Sequence, residues 1–330
     1  MARWLKVPVA RLAIGFGKPI WRTTNRLGTE IVLGWFPFGG YVRFAETTTA
    51  FQNIAVWRRL CIALAGVTVN VLLAWLLFWA VFTLGVTRFS PIIAGIVPNS
   101  PAAHAGMQAG DEIIAIDHAK TPSWSAVAMA LVTHIGETKK LSLILQSPMQ
   151  ESNHNQLHHV KVDLATWQVD ALNPQPLSSF GIVIPEINDL KKIYVEYPLQ
   201  QAWVPAAEET LRYINFNVMI VYKLLVGELS IKSLGGPLTL LNITSVAVDS
   251  GIVIFLQVLA VLSIMLAVLN CLPIPGLDGA QVIYLIIEWI AGKPVPLRWQ
   301  ALFMQLGIIV IALLFVQAMV NDMLRLGGNM

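Results

Sequence analysis

Three long runs of this sequence contain no aspartate, glutamate, lysine or arginine, and they are residues 60–87, 250–277 and 299–321. Each run is long enough to cross a membrane as a helix, because about 20 apolar residues at about 1.5 Å per residue span roughly 30 Å of hydrocarbon. With 56% hydrophobic and only 12% charged residues, the chain is too apolar for an ordinary soluble enzyme. The sequence therefore predicts a polytopic α-helical membrane protein whose surroundings are a lipid bilayer.

The basic residues are concentrated before the first run. Residues 1–59 contain nine lysines or arginines against two acids, whereas residues 88–205 contain seven basic and ten acidic side chains. Under the positive-inside rule, the first segment is cytoplasmic and the second lies outside. This predicts a multi-pass membrane protein whose first segment lies on the cytoplasmic side. The net charge of +3 and the absence of a basic run with interleaved aromatic residues give no indication of a nucleic-acid partner.

Charge, turn signals and apolar runs divide the chain into six predicted segments. They are a cytoplasmic membrane-associated β segment (1–59), a transmembrane helix (60–87), a periplasmic α+β module (88–190), a connector with an amphipathic helix (191–249), a broken transmembrane helix (250–291) and a last transmembrane helix (299–322). In the first segment, strand-like runs at 29–35 and 41–44 alternate with turn signals at 17–19 and 37–40, which predicts a β-hairpin sheet. In the module, strands at 92–97, 112–116, 141–145 and 159–164 accompany a helix at 123–134.

The helix at 206–226 carries Glu208, Glu209, Arg212 and Lys223. We expect it to lie at the interface or to pack on the bundle rather than to span the membrane.

Asp278 stands in the second apolar run, just after Pro273 and Pro275 interrupt the helix. Such a break survives in lipid only where protein or water satisfies the freed backbone groups. A carboxylate at this depth is costly, so it usually faces a polar partner, an ion or a metal. The alternative is that Asp278 caps the helix that restarts at Gly279. Residue type alone leaves both roles open.

The residues around Asp278 form a more specific sequence pattern. Residues 270–279 read N-C-L-P-I-P-G-L-D-G, which resembles the N-x-x-P-x-P-x-L-D-G signature of the site-2 protease family of intramembrane zinc metalloproteases. Residues 14–18 and 37–42 resemble the segment that follows the active-site helix in bacterial members, and residues 65–70 resemble their G-P-x-x-N helix, with Val67 where proline is usual. Residues 97–113 are similar to a PDZ domain. The resemblance covers most of the chain in family order and lies closest to the regulator of sigma-E protease type.

This resemblance implies a zinc ion held by two histidines of an H-E-x-x-H motif and by Asp278. The sequence contains no H-E-x-x-H, so the catalytic glutamate has no counterpart in it. His154 and His158 have the right spacing, but they lack the glutamate and lie in a polar loop. Two explanations stay open. Either the motif lies on a helix upstream of Met1, or the chain is a pseudoprotease that has lost its metal.

The resemblance also implies a function, namely regulated intramembrane proteolysis of single-span membrane proteins such as anti-sigma factors. Gly39, Gly40 and Tyr41 would offer a strand edge to the substrate, although they also suit a plain hairpin turn. Asn70 and Asn270, with Pro273 and Pro275, would bind the extended substrate, and the alternative is helix packing through buried amides.

The PDZ-like domain would bind peptide. A non-catalytic pseudoprotease or PDZ membrane adaptor is the main rival function. A transporter would need two broken helices in corresponding halves of the chain, whereas the sequence shows a single break.

Overall fold

The computed structural model describes residues 9–25, 28–44, 54–147, 156–169, 175–186, 188–233 and 235–327. The predicted segment 1–59 therefore includes residues 1–8, 26–27 and 45–53 that lie outside the described residues, and His154 lies outside them too. The chain folds as two compact units. The first comprises residues 1–69 and 269–309, and the second comprises residues 70–268 and 310–330.

The helices follow the apolar runs. They are α1 (Val56–Ala63), α2 (Ala65–Leu84), α3 (Pro101–His104), α4 (Trp124–Val132), α5 (Pro176–Phe180), α6 (Trp203–Val226), α7 (Pro237–Asp249), α8 (Ile252–Cys271), α9 (Asp278–Ala291) and α10 (Leu297–Gly327). Among the described residues, three helices are long and apolar enough to cross a membrane, namely α2, α8 and α10. They coincide with the three charge-free runs, which confirms the prediction of a membrane protein.

The first unit contains a sheet built from β1 (Val9–Thr24) and β2 (Glu30–Phe44). Ala13 is paired with both Val32 and Tyr41, so the first part of β1 lies between two stretches of β2. Val32 is also paired with Arg22, in the last part of β1. The stretch of β2 around Tyr41 has a partner on one side within the described residues and forms an edge of this sheet.

The predicted turns at 17–19 and 37–40 fall where the chain reverses, although both segments are assigned to strands. Along β2 from Ile31 to Leu33, the paired residues of β1 rise from Leu12 to Ile14 on one side and fall from Thr23 to Trp21 on the other, so the chain changes direction between residues 14 and 21. It changes direction again between residues 33 and 40, because the two stretches of β2 flank the same part of β1. Gly15 and Gly17 have positive φ angles of 84° and 89°, a backbone conformation that glycine adopts without steric cost.

In the same unit, α9 is fastened to α1 by a bidentate ion pair. The Arg59 guanidinium donates to both carboxylate oxygens of Glu288, at 3.0 and 2.5 Å. Arg59 also donates to the Ile54 carbonyl oxygen at 3.2 Å. The Arg59 side chain is 5% exposed and that of Glu288 is 15% exposed. Because α9 begins at Asp278, this pair fixes the helix that carries the predicted site residue.

The second unit contains the α+β module between α2 and α6. Its strands are β3 (Val86–Phe89), β4 (Gly95–Ile96), β5 (Glu112–Ile116), β6 (Ala119–Lys120), β7 (Lys140–Ser147), β8 (Gln156–Asp163), β9 (Ile182–Val183) and β10 (Lys192–Val195). Four of them form a sheet in the order β6-β5-β7-β8, while β4 pairs with β9. Strands β3 and β10 pair antiparallel where the chain enters and leaves the module, so the module is an insertion between membrane helices.

Alternating apolar residues of the central strands fill the core of the module. Leu141, Leu143 and Leu145 of β7 are fully buried, and so are Val127 and Leu131 of α4. Val127 and Leu131 therefore form part of the inward face of α4. Trp167 and Phe180 close the core with an edge-to-face contact of 5.4 Å between ring centroids, a geometry that aromatic pairs favour.

The second unit also holds an acidic residue near the end of α10. Asp322 is 2% exposed and accepts hydrogen bonds from the backbone N–H groups of Gly236 and Leu238 at 2.9 and 2.8 Å. It accepts a third from the N–H of Thr239 at 3.2 Å. Asp322 thus satisfies the free amides at the start of α7, as a capping residue of the helix itself would.

We predict that breaking the Arg59–Glu288 pair destabilises α9. In Arg59→Met, the Glu288 carboxylate stays mostly buried without its partner, which typically costs about 3–5 kcal/mol. Thermal unfolding of the protein in detergent should show a clearly lower midpoint. The double variant Arg59→Met/Glu288→Met, which removes both charges, should recover much of the loss.

Arg58→Met is the matched control, because the neighbouring Arg58 is exposed and rests on the Trp57 ring at 5.3 Å. Equal losses in the Arg58 and Arg59 variants would contradict this role for the buried pair.

Candidate functional site

The predicted site lies where the second apolar run is interrupted. Helix α8 ends at Cys271 and α9 begins at Asp278. Pro273 and Pro275 lie between them, and neither can donate a backbone hydrogen bond. Asn270 lies in the last turn of α8. The chain itself therefore brings four of the predicted site residues together at one break.

Asp278 is the first residue of α9, and the N-cap position is taken by Leu277. No side chain caps this helix, and the Asp278 carboxylate has no hydrogen bond or ion pair within the described part of the chain. The capping role that the sequence leaves open is therefore absent from this structure. The half-buried carboxylate lies at the N-terminal end of α9, which is the positive end of the helix dipole.

Two glycines allow the break to pack closely. A Cβ atom at Gly279 would overlap the carbonyl oxygen of Leu272 and would lie 2.5 Å from that of Cys271. A Cβ atom at Gly307 of α10 would overlap the carbonyl oxygen of Pro275. These contacts give a physical reason for glycine directly after Asp278: the start of α9 lies against the carbonyl end of α8.

Gly66 is a neighbour of Asp278 that the sequence reasoning did not assign to the site. A Cβ atom at position 66 would lie 3.1 Å from Asp278 Oδ2, so the first turn of α2 runs beside the carboxylate. The sequence marked residues 65–70 only as part of the family resemblance. Because nothing in a single sequence states which backbone a side chain will approach, residue pattern alone gave no signal for this contact.

The two asparagines predicted to bind substrate fall in different units. Asn270 belongs to the first unit and Asn70 to the second. The backbone carbonyl of Asn70 accepts a hydrogen bond from the Ser263 hydroxyl at 2.9 Å, which joins α2 to α8. Within the described residues, neither side-chain amide has a hydrogen bond. Packing of helices through these amides is therefore not seen, and substrate binding by them stays a prediction.

Gly39, Gly40 and Tyr41 lie in β2, at the stretch that forms an edge of its sheet. Gly40 is paired with Ile14 and Tyr41 with Ala13, and the described residues provide no strand on their other side. An unpaired edge presents backbone N–H and C=O groups that can pair with another chain. The hairpin-turn alternative also stays open for these glycines, since β2 reverses between its stretches around Val32 and Tyr41.

The described histidines belong to a different unit from Asp278. His104, His118, His134, His158 and His159 all belong to the module in the second unit. His134 Nδ1 lies 2.8 Å from Glu137, and His158 lies 3.4 Å from the Ser147 hydroxyl. These contacts are compatible with structural roles inside the module.

A complete metal site is absent from the part of the chain that the structure describes. No group of three or more His, Cys, Asp or Glu side chains there is arranged to hold an ion. A catalytic zinc takes three protein ligands and keeps a fourth position open. The described residues therefore do not fit a whole zinc centre, and Asp278 is the ligand that the sequence predicts at the break.

Comparison with known proteins gives the family. The sequence matches the family described as Peptidase family M50 over residues 1–314. It is 28% identical to the regulator of sigma-E protease RseP of Escherichia coli (strain K12), over 99% of this chain and 94% of that protein. It is also 28% identical to protease RseP of Yersinia pestis, with the same coverage, and 27% identical to a putative zinc metalloprotease of Vibrio cholerae, again over 99% and 94%.

The alignment with the Escherichia coli protein has 427 positions, whereas this chain has 330 residues. At least 97 aligned positions are therefore gaps in this chain. Because the family match covers nearly the whole sequence and includes both the segment before α2 and the proline-framed break at Asp278, this chain belongs to peptidase family M50, the site-2 proteases.

Proposed function

We propose that this protein is an intramembrane metalloprotease of the site-2 type, which cleaves single-span membrane proteins such as anti-sigma factors. The observation that carries the proposal is the Asp278 carboxylate, half-buried at a helix break and without a partner among the described residues. Buried carboxylates without a structural partner are expensive, so a ligand is the physical reason to keep one there. Membership of family M50 supports zinc as that ligand.

Asp278 would be one ligand of a zinc ion. A relative carries the name putative zinc metalloprotease, and carboxylate oxygen is an ordinary zinc donor. Gly66 leaves the space beside the carboxylate free of side-chain carbon, because a Cβ atom there would lie 3.1 Å from Asp278 Oδ2. The remaining zinc ligands and the catalytic glutamate are not among the described residues. No described residue is therefore assigned a catalytic role.

Substrate would bind at the edge of β2 in an extended form. A helical substrate encloses its amides, so a protease must first unwind the segment that it cuts. Backbone pairing with the stretch at Gly39, Gly40 and Tyr41 would hold such a segment open. Asn270 precedes Pro273 and Pro275, and its side-chain amide has no hydrogen bond within the described residues. The same holds for the amide of Asn70 on α2, so both could bind the substrate backbone.

The inserted module would be a PDZ-like domain that binds peptide by strand addition. Strand β9 has a partner, β4, on one side, and its Val183 is 43% exposed. Helix α4 lies beside α5, the helix that leads into β9, so an extended peptide would lie between β9 and α4. We expect a single such domain in this chain.

One observation favours the second candidate, a non-catalytic adaptor that keeps the membrane helices and the module. The described residues contain no three-ligand group. An adaptor needs neither zinc nor a free Asp278, so the two functions differ in what Asp278 does.

We predict that Asp278 is required for both zinc and cleavage. The protein should be expressed from its own chromosomal reading frame and purified from membranes. Wild type should hold about one zinc per chain and cut a single-span reporter, as a catalytic site with one metal does. Asp278→Asn should lose both, because a neutral amide oxygen is a much poorer zinc donor than carboxylate. Metal content by mass spectrometry and reporter cleavage on gels are the two measurements.

Asp249→Asn provides the control, because Asp249 is an exposed acid at the end of α7 and should change neither reading. Zinc and activity retained in Asp278→Asn would contradict the ligand role. Wild type without zinc or cleavage would favour the adaptor.

We also predict the orientation in a bacterial inner membrane, with the module periplasmic and the first segment cytoplasmic. Cys61 and Cys271 are free thiols and should first be changed to alanine. In intact spheroplasts, a cysteine at the exposed Lys161 of β8 should react with an impermeant maleimide. A cysteine at the exposed Arg22 of β1 should react only after lysis. The reverse pattern would contradict the assignment that the basic residues of 1–59 give.

A further inference from the structure

Helix α6 belongs to two hydrophobic cores of the second unit. Near its start, Ala206 packs in a cluster with Phe78 of α2 and Ile264 of α8. Towards its end, Leu224 packs on the core of the inserted module, and so does Leu229 just beyond the helix. With 24 residues the helix is about 36 Å long. It therefore connects the membrane helices to the module as one rigid element.

Two charged residues of α6 are buried. Glu209 is 7% exposed and Lys223 is 1% exposed. Glu209 accepts from Arg88 of β3 at 2.9 Å and from Arg212 at 2.8 Å. This ion cluster ties α6 to the strand through which the chain enters the module.

Lys223 makes the second tie, at the other end of the helix. Its ammonium group donates to the backbone carbonyl of Ile135 at 2.7 Å and to the Glu228 carboxylate at 2.6 Å. Glu137 Oε1 lies 4.0 Å away. Ile135 and Glu137 belong to the loop after α4, so Lys223 joins α6 directly to the module.

The loop is shaped to receive this lysine. Gly136 has a φ of +84°, and a Cβ atom there would lie 2.9 Å from Glu228. His134 and Lys139 contact Glu137 at 2.8 and 3.2 Å. Partial burial would raise the pKa of the Glu137 carboxyl, but the hydrogen bonds from His134 and Lys139 outweigh it and hold that pKa below its ordinary value. Glu137 therefore stays negative beside Lys223 at neutral pH.

A buried ammonium group is satisfied only by acceptors and negative charges placed around it in one geometry. An apolar side chain at position 223 would accept many packings of the loop, whereas Lys223 accepts the arrangement that offers both the Ile135 carbonyl and the Glu228 carboxylate. If the module separates from α6, water can hydrate the ammonium group again. The contact is therefore directional and reversible.

We infer that Lys223 is a positioning residue that latches the inserted module onto α6 and so fixes its orientation relative to α2 and α8. This role is independent of whether the chain cleaves a substrate. Releasing the latch would let the module turn about the β3–β10 pair, which would remain its connection to the membrane helices.

The test measures orientation directly in the full chain. With Cys61 and Cys271 changed to alanine, spin labels at Lys161 of β8 and Leu76 of α2 report the distance between module and membrane helix. Both positions are exposed. Pulsed electron paramagnetic resonance of the wild type should give a distance distribution with one narrow maximum. Lys223→Met should lose that single maximum to a broad or double distribution, whereas Lys223→Arg, which keeps the charge, should retain it.

Lys120→Met is the matched control at an exposed lysine of β6 and should leave the maximum unchanged. Hydrogen exchange of β5 and β7 separates loss of orientation from loss of folding, since these buried strands should stay protected in every variant. If Lys223→Met unfolds the module, Glu228→Gln decides, because it removes the charge while it keeps an acceptor, and it should broaden the distribution with protection intact.

A distribution for Lys223→Met with protected strands that superimposes on wild type would overturn the inference. So would equal broadening in Lys120→Met, or a Lys223→Arg variant as broad as Lys223→Met. If Lys223→Met unfolds the module, an unchanged distance maximum in Glu228→Gln would overturn the inference.

Discussion

Lipid cannot hydrogen-bond to a polar group, and this constraint shapes the interrupted helix at the predicted site. Pro273 and Pro275 end one helix, and the next begins within a few residues at Asp278. The break is enclosed by protein backbone, since Gly279 and Gly307 bring the start of α9 and the side of α10 against carbonyl groups of the break. The Arg59–Glu288 pair then holds α9 on α1. Each of these contacts keeps one carboxylate in place.

The buried charges of this protein separate into two kinds. Charges of the first kind contact an opposite charge or backbone hydrogen-bonding groups, and their roles are structural. They are Glu288, Glu209, Lys223 and Asp322. Asp278 has no such partner among the described residues, although it lies in an apolar segment. A carboxylate that the fold does not use is the one left for a ligand, and this contrast supports its assignment to chemistry more strongly than its motif alone.

Residue patterns predicted the parts of the fold that depend on local physics. Charge-free runs gave α2, α8 and α10, and alternation gave β5 and β7. The break followed from two prolines. The turn signals at Gly17 and Gly40 likewise fall where the chain reverses within β1 and β2. The sequence missed Gly66, Arg59 and the inward direction of Lys223, since each depends on a partner far away in the chain.

The most direct measurement is a crystallographic anomalous difference map at the zinc edge, recorded on the membrane-purified protein while it is competent to cleave a reporter. The account predicts a single strong peak with an Asp278 carboxylate oxygen at about 2.0–2.2 Å, the ordinary zinc–oxygen distance. A cleaving protein whose map shows no peak within bonding distance of Asp278, or shows Asp278 bonded to backbone amides of α9 instead, would contradict it.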